Sequence, residues 1–177
     1  MPNVLIFCGS GRNIGKTALV RSVISKTKDK FEIAAIKVSP HFHDSSSEEN
    51  LIWQGTDCNI FLENKVTTKD SSLFLQAGAT PVYYIETKDN MLEAAFYKIL
   101  SFIDKNMHIV CESGILANYI KPGVLVFVES SDNTLNKKNI NKDIADLIIT
   151  MKPEEFDEEL KSINDKILAN TGKWNLT

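Results

Sequence analysis

Val4-Leu5-Ile6-Phe7-Cys8-Gly9-Ser10-Gly11-Arg12-Asn13-Ile14-Gly15-Lys16-Thr17 is the stretch whose reading decides the fold. Its first residues form a continuous apolar run, the composition of a buried strand. After the glycines, Leu19, Val20, Val23 and Ile24 recur at helical spacing and make one apolar face. Strand, glycine loop and helix in that order are the first turn of a βα unit. Small residues let such a backbone approach a polyphosphate and aim several N–H groups at it. The helix N-terminus adds its positive dipole end. Lys16 is a mobile point charge for the β- and γ-phosphates, and the Thr17 hydroxyl is a ligand for Mg²⁺.

The strict phosphate-loop pattern, G-x-x-x-x-G-K-[ST], puts glycine where this chain has Ser10. Here five residues separate Gly9 from Gly15, one more than the strict form. The bland alternative is a glycine-rich turn with an accidental Gly-Lys-Thr. The strand before and the helix after favour nucleotide binding instead. The binding run expected is Gly9, Ser10, Gly11, Arg12, Asn13, Ile14, Gly15, Lys16, Thr17 and Ala18.

Outward from the loop, short apolar runs alternate with helical stretches. Strands are expected over 31–38, 60–66, 81–85, 107–111, 124–128 and 145–150. The run 60–66 is interrupted by Glu63 and Asn64 and reads as a sheet edge. Helices are expected over 70–77, capped by Asp70 or Ser71 and ended by Gly78, over 92–103, and over 153–169, with proline and acids in the first turn. Alternation of this kind predicts an α/β, three-layer P-loop NTPase fold, a mostly parallel sheet flanked by helices. A single nucleotide-binding domain over residues 1–177 follows from the length. Ligands in such sheets sit beyond the carboxyl ends of the strands.

That rule selects the remaining candidates. Glu112 directly follows the strand 107–111, where a carboxylate can hold Mg²⁺ directly or through water; an ordinary solvated glutamate is the alternative. Lys37 ends the second strand inside an apolar run, and a lysine is costly to bury unpaired. Its partner is a bound phosphate or a carboxylate, unless the side chain merely snorkels. Both Lys16 and Lys37 are candidate catalytic cations. They are expected at one sheet edge, since both follow strands taken as adjacent. His41-Phe42-His43-Asp44 has no further ligand spaced to complete a metal site, though Asp44 alone can assist Mg²⁺. Asn136-Lys137-Lys138-Asn139 lacks the final aspartate of a guanine-reading NKxD element and is read as a polar loop. The base, GTP or ATP, therefore stays open.

Composition narrows the partners. The net charge of -3 argues against a broad nucleic-acid face. No run is long and apolar enough for a bilayer span, and the start carries no basic secretory segment, so a cytoplasmic location is expected. The three cysteines, Cys8, Cys58 and Cys111, form no CxxC pair. Neither a disulfide framework nor a zinc knuckle is expected from them.

The ordered series Gly15-Lys16-Thr17, Ile36-Lys37, the histidine-containing loop, Lys69-Asp70-Ser71 and Gln76-Ala77-Gly78-Ala79 resembles the MobB-like proteins, GTP-binding adaptors associated with molybdenum-cofactor guanylylation. Cys111-Glu112-Ser113-Gly114 before Pro122 is similar to that family's Glu-Gly segment, with Ser113 intervening. The glycine loop itself looks more like dethiobiotin synthetase, which has the same longer spacing, a lysine matching Lys37 and a metal-binding glutamate matching Glu112. Here Lys37 is followed by Val38-Ser39 rather than that family's Pro-Val. Both families belong to one P-loop class, often called SIMIBI. The resemblance implies a weak or partner-stimulated NTPase, an adaptor in cofactor biosynthesis, with a protein partner and a homodimer across the nucleotide site. The alternatives are a ligase resembling dethiobiotin synthetase and a non-hydrolysing regulatory module.

Overall fold

A computed structural model describes residues 1–42, 50–67, 69–132 and 140–177. The strands in chain order are β1 (Val4–Gly9), β2 (Ile33–Ser39), β3 (Leu51–Gly55), β4 (Cys58–Glu63), β5 (Val82–Thr87), β6 (His108–Glu112), β7 (Val124–Ser130), β8 (Leu147–Met151), β9 (Ile167–Asn170) and β10 (Lys173–Leu176). The helices are α1 (Lys16–Thr27), α2 (Asp70–Ala77), α3 (Leu92–Leu100) and α4 (Phe156–Lys166). The first eight strands form one sheet in the order β3-β4-β5-β2-β6-β1-β7-β8. From β5 to β8 every pairing is parallel, while β3 and β4 are antiparallel additions.

Alternate strand residues point to opposite faces, and each face carries its own core. Leu5, Phe7, Ala35, Val110 and Val126 pack with Leu19, Val20, Val23 and Ile24 of α1, Phe74 of α2 and Ile163 of α4. Val4, Ile6, Ile36, Ile85 and Ile109 pack on the other side with Leu92, Phe96 and Ile99 of α3. The result is a three-layer α/β fold with a mostly parallel sheet between helices. Among the described residues, no helix is long and apolar enough to cross a membrane.

Four expectations need correction. Strands β1 and β2 are not adjacent, because β6 lies between them and pairs with both. The run expected as an edge is an interior strand: β4 pairs with β5 on one side and β3 on the other, so the edge is Leu51–Gly55. The last helix stops at Lys166, where the chain turns into a hairpin, β9 against β10. Gly172, at φ 71°, lies in its two-residue turn and supplies the left-handed conformation that tight hairpins require. Neither Asp70 nor Ser71 caps α2. Lys69 holds the cap position and no side-chain cap bond forms. Gly78 does end that helix, left-handed at φ 109°.

Candidate functional site

The loop between β1 and α1 is pinned from below. Gly9 pairs in register with Val128, and a Cβ added to Gly9 would collide with the Val128 carbonyl oxygen. The Ser10 N–H donates to that same oxygen at 3.0 Å, so this amide is already committed. Ile14 is buried in the core beside α1 and anchors the middle of the loop. Asn13 at φ 57° and Gly15 at φ 92° are both left-handed. At Gly15 a side chain would be strained, and its Cβ would stand 2.9 Å from the Met151 methyl. The chain then enters α1 directly at Lys16. Ser10 is buried, Gly11 and Ala18 are half-buried, and Arg12 and Asn13 are exposed.

Lys16 is half-buried and is the first residue of α1, not a freely exposed loop residue. Its ammonium folds back to donate to the Gly11 carbonyl. Burial pulls its pKa below the ordinary lysine value; the Glu112 charge opposes this and the Lys37 charge adds to it. An anion placed in the loop would relieve that cost.

The remaining charges converge beside it. Because β6 lies between β1 and β2, Glu112 is in register with both Phe7 and Lys37. The Thr17 hydroxyl donates to Glu112 Oε2 at 2.8 Å. Lys37 Nζ lies 2.5 Å from Glu112 Oε1, with side chains only 15% and 7% exposed. The same ammonium lies 3.3 Å from Thr17 Oγ1 and 3.3 Å from Asp70 Oδ2. Thus Lys16, Thr17, Lys37 and Glu112, separated by up to 96 positions in the numbering, share one end of the sheet.

Asp70, expected as a cap of α2 and as part of the Lys69-Asp70-Ser71 stretch, instead sets its carboxylate beside Lys37. Its signal was its position, an acid opening a helix whose cap it does not make. Its neighbour Ser71 donates to the buried Glu63 at 2.5 Å. That bond ties the start of α2, and with it the Asp70 backbone, to β4.

His41 is contacted by the Arg12 guanidinium. His43, Asp44 and the polar loop 136–139 lie outside the described residues. Among the described residues, no group of three or more His, Cys, Asp and Glu side chains is placed to hold a metal. All three cysteines are free and buried. Burial pushes the Cys8 thiol up to about 12 and raises Cys111 as well, so both stay protonated near neutrality. A cavity of about 510 Å³, lined by Tyr119, Pro122, Leu125 and Asp146 among others, opens near the amino ends of β7 and β8, away from the charge cluster.

Comparison with known protein families, curated proteins and solved structures gives no match for this chain. The site is read from its own geometry.

Proposed function

We propose that residues 9–17 are a P-loop that binds a purine nucleoside triphosphate, GTP or ATP, with Mg²⁺. The observation that carries this reading is the convergence of Thr17, Glu112 and Lys37 beside Lys16 at the carboxyl end of β1, β2 and β6. A glycine turn alone does not require a hydroxyl, a carboxylate and two ammonium groups gathered around it. A phosphate and cation site does.

The donor chemistry fits Mg²⁺. The Thr17 hydroxyl and the Glu112 carboxylate are hard oxygen donors within 2.8 Å of each other, and Mg²⁺ takes one or two such protein ligands with water and phosphate oxygens completing its shell. When bound, the ion would neutralise phosphate charge. The chain's own residues do the rest. The loop amides not already committed and the α1 N-terminus orient the phosphates. Lys16 exchanges the Gly11 carbonyl for a phosphate oxygen. Lys37 stands where it can meet charge that develops at the terminal phosphate.

The biological reading that best accommodates this site, together with the resemblance, is a MobB-like adaptor with slow or partner-stimulated hydrolysis. It would work as a homodimer with a protein partner in cofactor biosynthesis, in the cytoplasm. The ligase alternative uses the same geometry: Lys37 pairs with Glu112 rather than snorkelling, as a phosphoryl-transfer enzyme resembling dethiobiotin synthetase needs. Binding of ATP and of GTP, each with and without Mg²⁺, tests the site and names the base. Absence of any triphosphate binding overturns the reading. Product analysis with diamines, CO₂ and ATP separates ligase from adaptor, and a nucleotide-dependent pull-down supports the adaptor.

A further inference from the structure

We infer that Lys37 is a resident counter-ion that occupies the cation position between Thr17 and Glu112, and that Asp70 is the carboxylate to which it withdraws when a divalent cation enters. The inference rests on the nucleotide reading of the site and adds how cation entry is controlled.

The argument starts from the cost of charge. Glu112 is nearly buried, and a carboxylate in that position needs a cation or several donors. In this structure it has the Thr17 hydroxyl on one oxygen and the Lys37 ammonium on the other. Lys37 also reaches Thr17 Oγ1. One ammonium therefore contacts both side chains proposed as Mg²⁺ ligands. A divalent ion cannot bind the same two oxygens without moving it, because like charges that close repel strongly in a poorly solvated site.

Displacement is feasible only if Lys37 keeps a partner. Its side chain is 15% exposed, so an unpaired ammonium there would be expensive. Asp70 answers this. Its carboxylate already lies 3.3 Å from Nζ and is 58% exposed. Lys37 can tighten onto Asp70 by a small side-chain rotation while Glu112 and Thr17 turn to the incoming ion. The exchange conserves pairing: each carboxylate has a cation before and after. It also imposes an order. A bare divalent cation must expel Lys37 with no phosphate to help, whereas a cation arriving with a triphosphate brings oxygens that complete its shell and offer Lys37 a further acceptor.

The test uses Mn²⁺ as the probe, followed by loss of the free-ion electron paramagnetic resonance signal, on the full chain without nucleotide. Wild-type protein should take up Mn²⁺ weakly. Lys37→Met should take it up at least about tenfold more tightly, since the resident charge is gone, and Glu112→Gln added to that variant should abolish the gain. Equal uptake by wild type and folded Lys37→Met overturns the proposal. Should Lys37→Met fail to fold, Asp70→Asn decides, because it keeps the Lys37–Glu112 pair. Without its alternative partner Lys37 stays on Glu112, so Mn²⁺ should strengthen triphosphate binding about three- to tenfold less than in wild type. An undiminished Mn²⁺ effect in Asp70→Asn refutes the handover. The two readings fail separately. Wild type that binds no triphosphate removes the proposed function while the nucleotide-free Mn²⁺ comparison still judges Lys37. Where neither the wild type binds triphosphate nor Lys37→Met folds, the handover falls with the site it serves.

Discussion

Strand β6 begins with His108 and ends with Glu112, and both residues are buried. Their surroundings differ in kind. At the amino end, the His108 ring lies 4.7 Å from Phe31 and 5.1 Å from Trp174, measured between ring centres. Its Nε2–H donates to the Asn170 carbonyl at 2.8 Å. Trp174 in turn donates through its ring to the Asn3 carbonyl and through its backbone to Pro2. This end is aromatic packing around one ring, sealed by the β9–β10 hairpin. At the carboxyl end, Glu112 is held by a hydroxyl and an ammonium that each have another possible partner. Polar burial at one end closes the sheet; at the other it gathers paired charges.

The contrast can be broken by substitution at either end. The largest effect is expected at the closed end. Trp174 is 2% exposed and packs on both His108 and the α1-side core. Trp174→Ala should cost about 3–5 kcal/mol of stability. Nucleotide affinity measured well below the lowered melting temperature should stay at the wild-type value. Loss of affinity in the folded variant would mean that the two ends are coupled, and the comparison would fail.

Next in size is Lys16→Ala. Alanine suits the first turn of a helix, and the native ammonium bonds only a loop carbonyl, so the fold should persist. Triphosphate binding should weaken by about 1.5–3 kcal/mol, the worth of a charge-assisted hydrogen bond. Calorimetric titration with ATP and GTP reads this directly. Unchanged affinity in a folded variant sinks the P-loop assignment.

Smaller again is Glu112→Gln. The factor by which Mg²⁺ strengthens triphosphate binding should shrink about tenfold, while metal-free binding changes little or improves, because a carboxylate repels phosphate when no ion lies between them. A full Mg²⁺ response in this variant removes Glu112 from the metal's ligands.

How much of this was legible differs between the two ends for a physical reason. The parallel strands and α1 were readable because a doubly covered sheet demands continuous apolar runs and a one-faced helix, and both leave a period in the sequence. That Lys16, Thr17, Glu112 and Lys37 would gather at one end of the sheet was readable, because the first βα loop and the ends of parallel strands open on the same side. Strand order was not. Nothing local in β1 or β2 says that β6 will enter between them, yet that insertion is what brings Glu112 to Lys37. Asp70 was lost to a local habit, since an acid opening a helix reads as a cap. The closed end was lost to period. Ile167 continues the apolar spacing Phe156, Leu160, Ile163 of α4 well enough to extend it on paper, and Gly172 marks the turn. Edge strand β3 alternates half-buried and exposed residues and carries Gln54 and Gly55, too weak a pattern to separate from loop.

The smallest effect sharpens the comparison most, because it asks whether the carboxyl end stores a cost that ligand binding releases. Burial lowers the Lys16 pKa from the lysine value of 10.5. In the free protein, then, Lys16 loses its proton at lower pH than it does in the unfolded chain. Between the lowered value and 10.5 the unfolded state holds more protons than the folded one. Stability from this group therefore rises with pH across that window. Triphosphate binding must run the other way. Phosphate oxygens at the ammonium favour its charged form, so the complex holds more protons than the free protein, and affinity falls as pH rises through the same window. Calorimetry at a pH just below 10.5, in two buffers of different ionisation enthalpy, should record an uptake of less than about one proton per bound triphosphate, shrinking as the pH is lowered out of the window. Lys16→Met should abolish that component while leaving any contribution from the phosphates themselves. At the other end of β6, Trp174→Ala, held folded at low temperature, should show the wild-type uptake. If Lys16→Met and wild type take up equal amounts, the burial of Lys16 is structural packing and not a cost that the phosphate relieves.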